Sequence, residues 1–169
     1  MKAPARSKIP VAPSEAAGPR IQSLGEIGLN NFAPYLMNRV MARWNGGLAV
    51  DLRAMGMTTP KMRALAVLSM FSSLTVNELA VYAVTEQSTL SRTIDALEKQ
   101  GYVQRQSRAD DMRIRDISIT PEGRCVFDRI WPTMFAHLGE MFADISEEEQ
   151  RFLVAILQKI LKNVRSDEP

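Results

Sequence analysis

From Glu86 to Gly101 the only large apolar side chains are Leu90, Ile94 and Leu97, a spacing that suits one buried helical stripe and no strand. Gly101 closes the run, because glycine readily takes the left-handed conformation in which helices commonly end. At about 100° per residue, the face opposite the stripe carries Ser88, Arg92, Asp95 and Lys99, with Gln87, Thr89 and Ser91 at its shoulders. Residues 102–108 and 114–120 then alternate in polarity as strands do, and residues 109–113 join them.

Two further helices are expected ahead of this pair. Thr58, Thr59 and Pro60 read as a cap and a first-turn proline, opening a helix through about Phe71 whose inward residues are Met62, Leu65, Ala66, Leu68 and Ser69. Thr75 and Glu78 have the spacing of a capping box for a second, which turns Val76, Leu79 and Ala80 inward. Thr85 is the candidate N-cap of the third. Helix, helix, tight turn, helix and hairpin over residues 58–120 make a winged helix-turn-helix. Short hydroxyls beside an arginine suit a DNA major groove, where both can meet base edges and phosphates. An ordinary solvated helix face fits the same residues. The hairpin tips the balance towards nucleic acid, since it carries Arg105, Arg108, Arg113 and Arg115, offset by Asp110 and Asp111.

The flanks are helical. Residues 31–55 hold a stripe of Phe32, Leu36, Val40, Trp44, Leu48, Leu52 and Met55, capped by Asn30 or Asn31, with Pro34 in the first turn and Gly46-Gly47 as a weak point. After Pro121 the apolar residues from Val126 to Ile145 recur at helical spacing, and Pro132 inside them predicts a kink. Ser146 and Glu149 form a capping box for a last helix from Glu147 to about Val164. Residues 152–157 of that helix are contiguously apolar, so it must be buried, and so short a chain has little interior with which to cover it. An intertwined homodimer is the expected solution, with a pseudo-palindromic DNA site. The organisation is thus a basic, disordered arm over 1–30, a dimerisation helix over 31–57, the winged domain over 58–120 and C-terminal dimerisation helices over 121–165. The fold class is mainly α with a small β-hairpin wing.

Leu79-Ala80, the run Ser88-Thr-Leu-Ser-Arg-Thr-Ile-Asp-Ala-Leu-Glu-Lys-Gln-Gly-Tyr-Val103, Asp111-Met-Arg113 and Ile119-Thr-Pro-Glu-Gly123 together resemble the MarR family of bacterial transcription regulators. Ile119 stands where leucine is usual, and Asp110 adds a second acid at the wing tip. The resemblance implies a dimer built from the first and last helices, and a small phenolic or carboxylated molecule that releases DNA. Expected DNA contacts are Gln87, Ser88, Thr89, Ser91, Arg92 and Lys99 in the major groove, and Arg113 in the minor groove, oriented by Asp111. Arg105, Arg108 and Arg115 are expected on phosphates. Arg39 and Arg43, one turn apart, could hold the anion of an aromatic acid or an acyl-coenzyme A against Tyr35, Trp44 and His137. Their alternative is an ordinary surface.

Composition narrows the classes that remain. The 169 residues are 46% hydrophobic, enough for one moderate core, and the net charge of +2 is too small to argue for DNA by itself. Charge is local instead: residues 1–20 sum to +3, 59–120 to +1 and 121–169 to −3. No run of about 18 apolar residues occurs, so no segment is expected to span a membrane. Prolines at 4, 10, 13 and 19 and the lack of an apolar core argue against a signal peptide, and the single cysteine fits a reducing cytoplasm. Cys125 and His137 are expected about 18 Å apart on one helix, too far for a catalytic dyad. No metal-ligand spacing or phosphate loop is present, so no enzyme and no cofactor is expected, and a redox role for Cys125 finds no support in its neighbours. The rival reading is a winged-helix module that binds a protein, distinguishable by a weak dependence on salt.

Overall fold

A computed structural model describes residues 21–107 and 115–164. Two compact units divide between Arg39 and Val40. In the first, Ser23 and Glu26 close a capping box on α1 (Leu24–Ile27), and a 3₁₀ turn follows at Leu29–Asn31. The arm expected through residue 30 is therefore helical from Leu24, because that local box satisfies the backbone without tertiary help. Its first twenty residues lie outside the described ones. Asn31 donates its side-chain amide to the Ile27 carbonyl at 3.1 Å rather than heading the long helix, α2 (Ala33–Ala54), which runs on into the second unit.

In the second unit, α3 (Thr59–Met70), α4 (Val76–Tyr82) and α5 (Gln87–Lys99) pack with β1 (Val103–Ser107) and β2 (Arg115–Ile119). Leu65 and Leu68 of α3, Leu79 of α4, Leu90, Ile94 and Leu97 of α5 and Ile117 of β2 are fully buried in one cluster. Leu48 and Leu52 join it from α2, and Val126, Phe127 and Ile130 from α6 (Pro121–Met141). Burying each such side chain stabilises by about 1.5–3 kcal/mol before entropy is counted, so this shared cluster anchors the helices to the sheet. The strands pair antiparallel from Val103 with Ile119 to Ser107 with Arg115. Leu74, between α3 and α4, adds a single antiparallel bridge to β2 by exchanging backbone hydrogen bonds with Ile117 at 3.0 and 2.8 Å.

Local chemistry sets the helix ends. Thr58, Thr75, Thr120 and Ser146 cap α3, α4, α6 and α7 (Glu147–Asn163), and the boxes at Thr75–Glu78 and Ser146–Glu149 form as expected. In the latter, hydrogen bonds from the Ser146 side chain and backbone hold the Glu149 carboxyl below its ordinary range. Three helices end in Schellman turns, whose penultimate hydrogen bond requires a residue of positive φ. Gly56 and Gly101 supply it after α2 and α5, whereas α4 uses Val84 at φ 48°.

Burial fades along the outer helices. On α6, Gly123, Val126, Phe127 and Ile130 are buried, all before Pro132, and α7 buries no residue at all. Phe152 stays 69% exposed and Leu161 56%. Among the described residues no helix is long and apolar enough to cross a membrane.

Candidate nucleic-acid interface

The sequence leaves α5 with one apolar side, and burial of Leu90, Ile94 and Leu97 forces the other outward. Gln87, Ser88, Thr89, Arg92, Asp95 and Lys99 are exposed and Ser91 is half-buried, the arrangement expected of a helix offered to a groove. Its N-terminus begins differently from expectation. Glu86, not Thr85, is the N-cap and makes no side-chain cap. Thr85 instead donates its hydroxyl to the Ala83 carbonyl at 3.0 Å, because the Schellman turn swings it back over α4. The positive end of α5 is thus left without a capping oxygen, which suits an approaching phosphate. Gln87 donates to Asn77 Oδ1 at 2.7 Å, joining the first residue of α5 to α4.

Arg105 requires a correction. Expected on phosphate, it is only 17% exposed in its side chain and donates to Asp95 at 2.6 Å and to Glu98 at 2.5 Å. Burial works against its charge, yet the hydrogen bonds and charges of those two carboxylates outweigh burial and raise its pKa above the ordinary guanidinium value. A guanidinium spent on two carboxylates has little to offer a phosphate. Its effect is to bolt the wing strand to α5 and to offset one of the two negative charges there. Replacing Arg105 with alanine is expected to weaken DNA binding several-fold by exposing two repelling charges, with only a small loss of Tm because the pair is partly solvated. Anisotropy titration beside thermal melting checks this, and unchanged affinity would refute it.

Arg115 is exposed on β2 opposite Ser107, where a phosphate can reach it. Arg108, Asp111 and Arg113 lie outside the described residues, as does Asp110. Thr120 does more than begin a helix: its hydroxyl donates to the Gly101 carbonyl at 2.6 Å and accepts from the Gly123 amide at 3.0 Å. It ties the end of α5, the base of the wing and the start of α6 into one joint. Thr120 stood in the sequence only as part of the Ile119–Gly123 motif, and Arg63, which bridges α2 to the turn before α5, carried no local signal.

The proposed ligand contacts form two pairs. The Arg39 guanidinium lies 5.6 Å from the centroid of the Tyr35 ring, a cation–π contact. Trp44 meets His137 edge-on at 6.2 Å, and Arg43 is exposed. His137 Nε2 lies 2.6 Å from Asp51 Oδ2, and its Nδ1 3.7 Å from Glu140 Oε2. An open cleft of about 610 Å³ runs past these three, floored by Met55, Pro132 and Ala136. Asp51 and Glu140 thus put two carboxylates beside His137, one of the side chains expected to line the pocket of an anion held by Arg39 and Arg43. Cys125 is exposed, and no group of three metal-binding side chains occurs among the described residues.

Residues 55–114 match the model of the MarR family, a stretch that takes in α3, α4, α5 and β1. A MarR-family transcriptional regulator from Silicibacter pomeroyi is 44% identical, with a TM-score of 0.82 over 88% of this chain and 100% of that one. The chain belongs to the MarR family. An HTH-type transcriptional regulator of Bacillus cereus is 30% identical over 118 residues, 69% of this chain and 78% of its own length. A MarR-family protein of Mycobacterium tuberculosis, solved in complex with salicylic acid, is 26% identical with a TM-score of 0.62, over 75% of this chain and 94% of that one. In this MarR-family regulator the motif from Ile119 to Gly123, which lies beyond the matched residues, acquires a structural reason in the Thr120 joint.

Proposed function

We propose that the protein is a dimeric, sequence-specific DNA-binding repressor released from its operator by a small aromatic ligand. The observation that carries the DNA reading is α5: its uncapped positive end and exposed Ser88, Thr89 and Arg92 form one surface, while Arg105 pairs with the acids Asp95 and Glu98 on the same helix and halves their charge. In the major groove Ser88, Thr89 and Ser91 would meet base edges and phosphates, and Arg92 would offer its fork to guanine. Gln87, already held by Asn77, would contribute to the helix start, and Lys99 and Arg115 would bind backbone phosphates. Arg108 and Arg113 would extend the contact along the duplex, with Asp111 orienting Arg113.

The dimer reading rests on α7, where Phe152, Leu153, Val154, Ile156, Leu157 and Leu161 remain exposed in one copy. A second copy covers them and places two α5 helices on one duplex at half-sites about one helical turn apart. The ligand class draws on the M. tuberculosis relative and its salicylic acid. Thermal shift with salicylate and with acyl-coenzyme A thioesters, followed by displacement from DNA, tests that choice.

The test of the DNA reading is selection of a duplex from a randomised pool, followed by titration of Arg92→Ala. Both affinity and discrimination between the selected and a scrambled duplex are expected to fall, by roughly tenfold to a hundredfold. A change confined to the salt slope would make Arg92 a phosphate contact, and failure of the parent to select any duplex would end the reading.

A further inference from the structure

We propose that Arg63 is a positioning residue for DNA binding, a strut that fixes the start of α5 against α2 without itself touching DNA. The inference rests on the DNA reading above. Arg63 leaves α3 half-buried, and its two terminal nitrogens go to different elements: Nη1 donates to the Val84 carbonyl at 3.1 Å and Nη2 to Asn45 Oδ1 on α2 at 3.0 Å. A planar guanidinium can hold both acceptors at fixed separation, whereas an ammonium is a single point of attachment.

The carbonyl it grips is the one that most needs gripping. Val84 lies in the turn between α4 and α5, at the left-handed position of the Schellman motif, where its own amide donates to the Val81 carbonyl at 3.1 Å and that of Thr85 to the Ala80 carbonyl at 3.0 Å. At the same position after α2 and α5 stands glycine. A β-branched side chain at φ 48° is strained, and its side chain is 78% exposed, so packing does not hold it there. The Arg63 bond stabilises the conformation from the carbonyl side. Three residues further on, α5 begins.

The other end of the strut is equally informative. Asn45 is followed by Gly46 and Gly47, the weakest helical segment of α2, and a methyl group on Gly47 would meet the His137 ring at 3.5 Å. α2 at this level is therefore positioned by α6 on one side and by Arg63 on the other. Arg63 is half-buried and spends an N–H of each terminal nitrogen within the protein, which separates it from exposed Arg92 and Arg115.

The experiment uses the full chain and a duplex that the parent selects from a randomised pool, with anisotropy titrations across a salt series. Arg63→Ala and Arg63→Lys are both expected to lose about tenfold in affinity, Asn45→Ala several-fold, and the double variant Asn45→Ala with Arg63→Ala no more than Arg63→Ala alone. The salt slope and the affinity for a scrambled duplex are expected to stay at the parent's values, which general unfolding would not allow. Parent-like affinity of Arg63→Ala overturns the proposal, as do full recovery by lysine, losses that multiply in the double variant, a salt slope reduced by about one, or an equal loss on scrambled DNA. Failure of the parent to select DNA is a different result and overturns the DNA reading itself.

Discussion

Gly123→Ala is expected to destabilise the protein by about 3 kcal/mol or more, lowering Tm by many degrees in a thermal melt and removing DNA binding with it. A Cβ built at Gly123 would stand 2.0 Å from the Tyr102 carbonyl oxygen and 2.9 Å from Ile119 Cγ1. The first of these atoms is backbone, held by the Thr120 amide at 3.0 Å, so it cannot swing aside as a side chain could. Accommodating a methyl group would mean prising α6 from the base of the wing, and with it Val126, Phe127 and Ile130 from the core. A variant that melts with the parent would show that α6 can shift at no cost and that the joint is loose.

The second large effect is expected at α7. Changing Leu153 and Leu157 together to aspartate should leave a chain with parent-like helical circular dichroism that elutes as a monomer at micromolar concentration. Both side chains are exposed in a single copy, at 41% and 39%, so the charges would not be buried within the protomer. They would be buried in a dimer, where an unpaired carboxylate is strongly unfavourable. Losing the second copy removes the gain from binding two half-sites at once, and affinity for the selected duplex should fall at least a hundredfold. Light scattering that still gives twice the chain mass would refute the assignment of α7 to the dimer interface.

What could be read along the chain is what short-range chemistry controls. The capping boxes at Thr75–Glu78 and Ser146–Glu149 join residues three apart, so their spacing is already their geometry. The stripe of α5 was legible for the same reason, as were the hairpin and the proline starts of α3 and α6. Thr85 shows where that reasoning stops: a hydroxyl at the right distance from a helix start was diverted by a turn whose form depends on the end of the preceding helix. Arg105 is a second instance, since its charge was visible but its preference for Asp95 and Glu98 over a phosphate arises from strand β1 lying against α5.

The linear order of residues thus determined the helices from α2 to α7, the strands of the hairpin, the family and the outward face of α5, because periodicity and caps act within a few residues of one another. Tertiary packing alone decided that Leu74 completes the sheet, that Thr120 and Gly123 lock the wing to α6, that Arg105 is withdrawn from the interface, and that Arg63 spans α2 and the turn before α5. Each of these joins residues far apart in sequence, and a hydrogen bond or a forbidden methyl group exists only once the backbone has brought its two sides together.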